Sequence, residues 1–268
     1  KKKDSGGDFE AVYRHVTDPE VRSRFYLIHG QHLTNSQQFK EVVDLVLRVM
    51  EEYGYPLDPN GTLEGFVQEL DQMVAAKGSR PLLEMCMELP LLSDPILNTL
   101  LEFNILCSPS LYMTANIALY CHHVLLCTNM TMRNGLLSAS GMVLGTMGWV
   151  LQCIKGPSQV AMEFATVGHQ ISERLQSRDF AMGLASMYGG LVAGMWGGAK
   201  LSATYFQQCK LHSCRCFDRS TYGYSLMLPD MQQAMRGSLV LPDFLEQLAE
   251  HIRDIASQHQ DRKDVLIM

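Results

Sequence analysis

The chain has 268 residues, 47% of them hydrophobic and 19% charged, an ordinary globular composition that excludes a disordered chain and a uniformly lipid-soluble one. The net charge is -6, and Lys and Arg are dispersed apart from Lys1-Lys2-Lys3. A general nucleic-acid binder would show a basic stripe, so no direct contact with nucleic acid is expected.

Residues 1–7 read as a flexible leader, because the lysine triplet runs into Asp4-Ser5-Gly6-Gly7. From Ser36 the apolar positions Phe39, Val42, Val43, Val46, Val49, Met50 and Tyr53 advance in three- and four-residue steps. That period predicts a helix with Ser36 as its N-cap and Gly54 as its stop. Tyr55–Gly61 is rich in Pro, Asn and Gly and predicts a loop. Thr62 can cap a second helix striped by Leu63, Phe66, Val67, Leu70, Met73 and Val74 and ended by Lys77-Gly78.

Further helices are expected at 81–90, 94–107, 109–130, 134–155, 157–176 and 179–200. Pro95, Pro109 and Pro157 lie near segment starts, where a first helical turn tolerates proline. The region 207–235 mixes Cys, aromatic and polar residues with Gly223 and Pro229 and reads as an irregular connector. Within it, Tyr222–Leu228 is the best strand candidate, and it is weak. A last helix opens at Leu241-Pro242-Asp243, with Phe244, Leu245, Leu248, Ile252 and Ile255 on one face. Residues 259–268 are expected to form a polar tail with an apolar end.

The expected fold is therefore all-α. It is a helical-hairpin array over 8–258, either an armadillo- or HEAT-like α-solenoid or a compact multi-helix bundle in a single domain. No repeat with a fixed consensus is present.

Two uncharged stretches need shielding. Phe180–Ala199 holds six Gly in twenty residues, with small residues at four-residue spacing along Ala181, Ala185, Gly189, Ala193, Gly197 and along Ser186, Gly190, Gly194, Gly198. Asn134–Ile154 carries Gly141 and Gly145 at the same spacing. Such rows let helix backbones approach closely. Each stretch is about the length of a membrane span at roughly 20 residues, yet each uses Gly, Ser, Thr and Ala where a span favours Leu, Ile and Phe. Burial among amphipathic helices is the favoured reading. Segments 134–154 and 180–199 as spans of an organelle membrane are the alternative.

Candidate chemistry is sparse. Cys209, His212, Cys214 and Cys216 offer zinc-ligand types, although Cys214 and Cys216 would point to opposite sides of an extended chain and no second knuckle follows. His122-His123 lies in an apolar helix and His169 stands four residues before Glu173, where a side-chain pair is the default. Trp149 and Trp196 lie in the two glycine-bearing segments, which are expected to face each other or a shared neighbour. Seventeen Met, concentrated centrally, suit irregular cores and adaptable binding surfaces. No phosphate-binding Gly-rich loop, His-Glu-x-x-His or Gly-x-Ser-x-Gly occurs. No catalytic residue and no cofactor is assigned.

Cys86, Cys107, Cys121, Cys127 and Cys153 stand singly in apolar stretches, which suits a reducing, intracellular setting, cytoplasmic or nuclear. The sequons Asn60-Gly61-Thr62 and Asn129-Met130-Thr131 are short enough to arise by chance. The sequence thus points to a non-catalytic scaffold or adaptor that binds other proteins, taking a partner helix or peptide in a groove between helices. His122, His123, His169, Trp149 and Trp196 are the candidate binding residues. An enzyme with a site near the three histidines is a further reading.

Overall fold

A computed structural model of the chain describes residues 6–114, 116–216 and 218–265. Residues 1–5 of the expected leader and 266–268 of the expected tail lie outside the described residues. Thirteen helices account for most of the described chain, and its only β-type pairing is an isolated bridge between Leu91 and Leu136. The fold is all-α. The chain divides into two compact units, 1–137 and 138–268.

The first unit contains α1 (Gly6–His15), α2 (Pro19–Asn35), α3 (Phe39–Glu52), α4 (Leu63–Lys77), α5 (Leu82–Glu88), α6 (Pro95–Met113) and α7 (Ile117–Asn134). The starts are chemically marked. The carboxylates of Asp18 and Asp94 accept the first free N–H groups of α2 and α6, and proline follows each of them. Thr62 Oγ1 accepts the Gly65 N–H, as its sequence position predicts, and Gly78 ends α4 at φ +61°. α6 lies centrally, against α2, α3 and α7, while α4 packs on α7. Its buried residues include Leu100, Leu101, Phe103 and Cys107; Phe103 and Cys107 lie against Gly30 of α2, and Asn104 meets Met50 of α3. The bridge ties the α5–α6 loop to the end of α7. Leu136 N–H donates to the Pro90 carbonyl and Leu92 N–H to the Leu136 carbonyl, both at 2.8 Å. Gly135 permits this approach: its φ is +118°, and a Cβ there would stand 2.6 Å from the Pro90 oxygen.

Three expectations for this unit are corrected. Ser36 closes α2 rather than opening α3, because its N–H bonds back to the His32 carbonyl and the Gln37 N–H to the Thr34 carbonyl. Pro109 does not start a helix. It sits inside α6, which forgoes one N–H bond to the Ile105 carbonyl there, and Asn116 caps α7 instead. Helices α1 and α2 occupy a region with no expected element.

The second unit contains α8 (Ser140–Lys155), α9 (Gln159–Arg174), α10 (Asp179–Met195), α11 (Ala199–Cys216), α12 (Arg219–Met235) and α13 (Leu241–Val265). α10 packs against α8, α9, α11 and α12, and α13 packs on α12. Glycines set these distances. A Cβ on Gly168 would lie 2.5 Å from the Gly141 carbonyl oxygen and 2.6 Å from the Gly145 nitrogen. One on Gly148 would lie 2.7 Å from the Ala161 oxygen. On the other side of α10, Gly189 and Gly190 lie under the rings of Tyr205 and Phe206. The small-residue rows are thus buried between helices as far as Ala193 and Gly194, as their spacing predicts, whereas Gly197 and Gly198 lie beyond the end of α10 and Gly197 is exposed. The facing of the two glycine-bearing segments is also seen, because Ala185 and Tyr188 of α10 lie against Gly145 of α8.

The irregular connector expected at 207–235 is corrected to the end of α11 and the whole of α12, and the strand candidate Tyr222–Leu228 lies inside α12. Asp218 makes this possible by accepting from the Thr221 N–H, which restarts the helix after one short break. Pro229 is carried inside α12. Residues 259–265 continue α13 rather than leaving it as a tail. The stretches 134–154 and 180–199 are each interrupted, at Gly135 and at Gly197, where φ is +92°. Among the described residues no helix is long and apolar enough to cross a membrane.

Candidate functional site

The histidines of the first unit are built into its packing. His122 Nε2 lies 3.0 Å from the Thr62 carbonyl oxygen, its Nδ1 lies 3.6 Å from Glu69, and its ring meets Phe66 edge-on. It fastens the start of α4 to α7. His123 points the other way, as residues about 100° apart on a helix must, and is 1% exposed. Asn104 donates its amide N–H to the Leu100 carbonyl at 2.7 Å and rests 2.9 Å from the Met50 sulfur. Its Oδ1, which can only accept, therefore takes the Nε2 proton of His123 at 3.0 Å. His123 Nδ1 has no hydrogen-bond partner among the described residues. Protonating it would bury an uncompensated cation, and burial pushes the imidazole down to about 4. A neutral, sealed imidazole of this kind holds a core together and cannot shuttle protons to a substrate.

In the second unit His169 joins a polar chain. Its Nδ1 lies 3.2 Å from Ser186 Oγ, its Nε2 lies 3.4 Å from Glu173, and its ring meets Tyr205 edge-on. The trio resembles a hydroxyl–imidazole–carboxylate nucleophile, but Ser186 is wholly buried and cannot meet a substrate. It braces α9 against α10. His169 is held below the usual imidazole range by burial, which outweighs the opposing pull of the Glu173 carboxylate. His212 itself places Nδ1 2.6 Å from Asp179 at the start of α10.

The four zinc-type residues sit on one continuous helix. Cys209 is buried with its sulfur near Ser213 and the Thr221 carbonyl, Cys214 is exposed, and His212 is engaged by Asp179. Helical geometry turns Cys214 away from Cys209 and Cys216, so the extended-chain arrangement that could gather four ligands does not form. Among the described residues no group of three or more His, Cys, Asp or Glu is placed to hold a metal.

The tryptophans differ from each other. Trp149 is half-buried on α8, whereas Trp196, the C-cap of α10, is 48% exposed. The expectation that both indoles fill space beside the glycines is corrected for Trp196. The α10 backbone turns at Gly197 and leaves its indole outside. Around it the fold gathers residues the sequence did not connect. Arg236 donates to the Gly194 carbonyl and Gln232 Nε2 lies 3.4 Å from the Gly190 oxygen, which holds the C-terminal ends of α10 and α12 side by side. Met195 beside Trp196 is exposed, and so are Met231 and Met235 on α12, the last at 81%. One indole and three flexible thioethers are thus exposed on the C-terminal ends of α10 and α12, which these bonds hold side by side.

No family model, curated protein or solved structure matches this chain.

Proposed function

We propose that the chain is a non-catalytic protein-interaction scaffold or adaptor, and that its second unit receives an amphipathic helix or peptide of a partner at the Trp196 corner. The observation that carries this reading is the exposure of Met195 and Trp196 at the end of α10 and of Met231 and Met235 at the end of α12, two helix ends that the hydrogen bonds from Gln232 and Arg236 to the α10 backbone hold side by side. Large apolar side chains at an exposed helix end lose nothing on leaving water, and Trp ranks first among residues that dominate interface energies. The histidines support the same reading from the other side. His122, His123 and His169 are each committed to internal partners, and their roles in packing are sufficient to explain them. The buried thiols of Cys86, Cys107, Cys121, Cys127 and Cys209 fit an intracellular, cytoplasmic or nuclear setting.

The test is affinity capture from cell extract with the wild-type chain and with a Trp196→Asp/Met235→Asp variant. Loss of one such anchor costs about 2 kcal/mol or more, roughly thirtyfold in affinity. The wild type should retain defined partners that the variant loses while keeping its helical circular dichroism. Retention of the same proteins by both chains would refute the assignment.

A further inference from the structure

The last helix carries a second surface, on a different element from the Trp196 corner. Among the described residues α13 rests on α12 along one edge. Tyr222 donates to Asp254 at 2.8 Å, His251 pairs with Asp230 at 2.6 Å, and Ile255 reaches Gly223. Phe244, Leu248 and Ile255 on that edge are half-buried. Its apolar stripe continues past this contact. Leu241, Leu245 and Ile252 are 67%, 53% and 58% exposed. The positions 241, 245, 248, 252 and 255 alternate steps of four and three, the seam spacing of a helix that packs along another helix.

What flanks the uncovered part identifies its occupant. Ala249 and Ala256 lie on the same side as Leu245 and Ile252, so a second helix can come close there. Beyond them, on the edge away from α12, stand Glu246 and Arg253, one heptad apart and both exposed. This edge is complementary to itself when reversed. In an antiparallel pair with its two-fold axis beside Ala249, Leu245 of each copy meets Ile252 of the other and Leu241 meets Ala256. Glu246 of each copy then lies within side-chain reach of Arg253 of the other. A parallel pair would set Glu246 beside Glu246 and Arg253 beside Arg253. Glu250 projects from the opposite face and stays in water in either case.

We propose that the chain self-associates through α13, two copies packing antiparallel so that their α12–α13 hairpins form a four-helix bundle. The interface is isologous, as a two-fold dimer requires. It leaves the Trp196 corner for other partners, so a failure here is distinguishable from a failure of the adaptor reading.

The experiment is sedimentation velocity of the full chain at tens of micromolar. It compares wild type with Leu245→Asp, Glu246→Arg, and the charge swap Glu246→Arg/Arg253→Glu. Wild type is expected to sediment as a dimer. Leu245→Asp, at an exposed position, should keep its circular dichroism and weaken dimerisation by about tenfold or more. Glu246→Arg should weaken it less, and the swap should bring it back toward wild type. A monomeric wild type, a dimer indifferent to Leu245→Asp, or a swap weaker than the single charge reversal would each overturn the proposal.

Discussion

Replacing Gly168 with Ala should destabilise the second unit, although alanine is the better helix former. In a helix interior the exchange contributes about 1 kcal/mol in favour of Ala. Against this, the new Cβ would stand 2.5 Å from the Gly141 carbonyl oxygen, 2.6 Å from the Gly145 nitrogen and 3.1 Å from the Gly145 Cα. All three are backbone atoms of α8 and cannot rotate aside. The helices must separate by several tenths of an ångström, which loosens the α8–α9 contact along its length. Overpacking of this kind costs about 1–3 kcal/mol, occasionally more, and the upper part of that range applies where backbone meets backbone. We expect a net loss of about 1–2 kcal/mol, or roughly 3–10 °C in the unit's melting temperature. Gly145→Ala is the internal control. Its Cβ would meet Tyr188 and Ala185 at 3.5–3.6 Å, ordinary van der Waals distances, so the propensity gain survives and stability should hold or rise. Calorimetry of the two variants decides the matter. Equal effects, or a stabilised Gly168→Ala, would refute the claim that backbone proximity sets this packing.

Acid should weaken the first unit through His123. Its folded value of about 4 lies below the unfolded value of 6.5, so the unfolded state binds the proton first. Stability is therefore lost as pH falls from about 6.5 to 4, by up to about 3 kcal/mol. His123→Gln, which keeps a donor for Asn104, should flatten the pH dependence of unfolding in this window, by at most about 1.4 kcal/mol per pH unit. An unchanged slope by chemical denaturation would contradict the buried neutral imidazole. Thiol labelling should modify exposed Cys214 first and spare Cys127 and Cys209, whose thiols burial raises to about 12. Labelling of Cys214 should be indifferent to a chelator, and chelator-dependent labelling would revive a zinc site on α11.

The sequence exposed much of the fold where local chemistry was sufficient. The Thr62 cap, the Gly78 stop and the α3 stripe all act as their positions imply. The Asp18-Pro19-Glu20 start of α2 carried the same signal as Asp94-Pro95, so the missing N-terminal helices were readable. Proline misled twice. Pro109 read as a helix start and Pro229 as part of an irregular connector, yet both are carried within helices, because tertiary packing outweighs one lost hydrogen bond. Glycine rows announced close approach but not the partner, since Gly168 against Gly141 depends on how α8 and α9 cross. The site was legible only in part. Trp196 stood out by type, but the α12 end that carries Met231 and Met235 comes beside the α10 end through the bonds of Gln232 and Arg236, a relation no local pattern encodes.

The adaptor reading meets its most direct test in site-specific photocrosslinking. A photoreactive phenylalanine is placed at Trp196 and, separately, at Glu64, an exposed position on α4 in the first unit. The account predicts a discrete crosslinked partner from position 196, competed away by unlabelled wild-type chain, and none from position 64. The same products from both positions, or none from position 196, would contradict it.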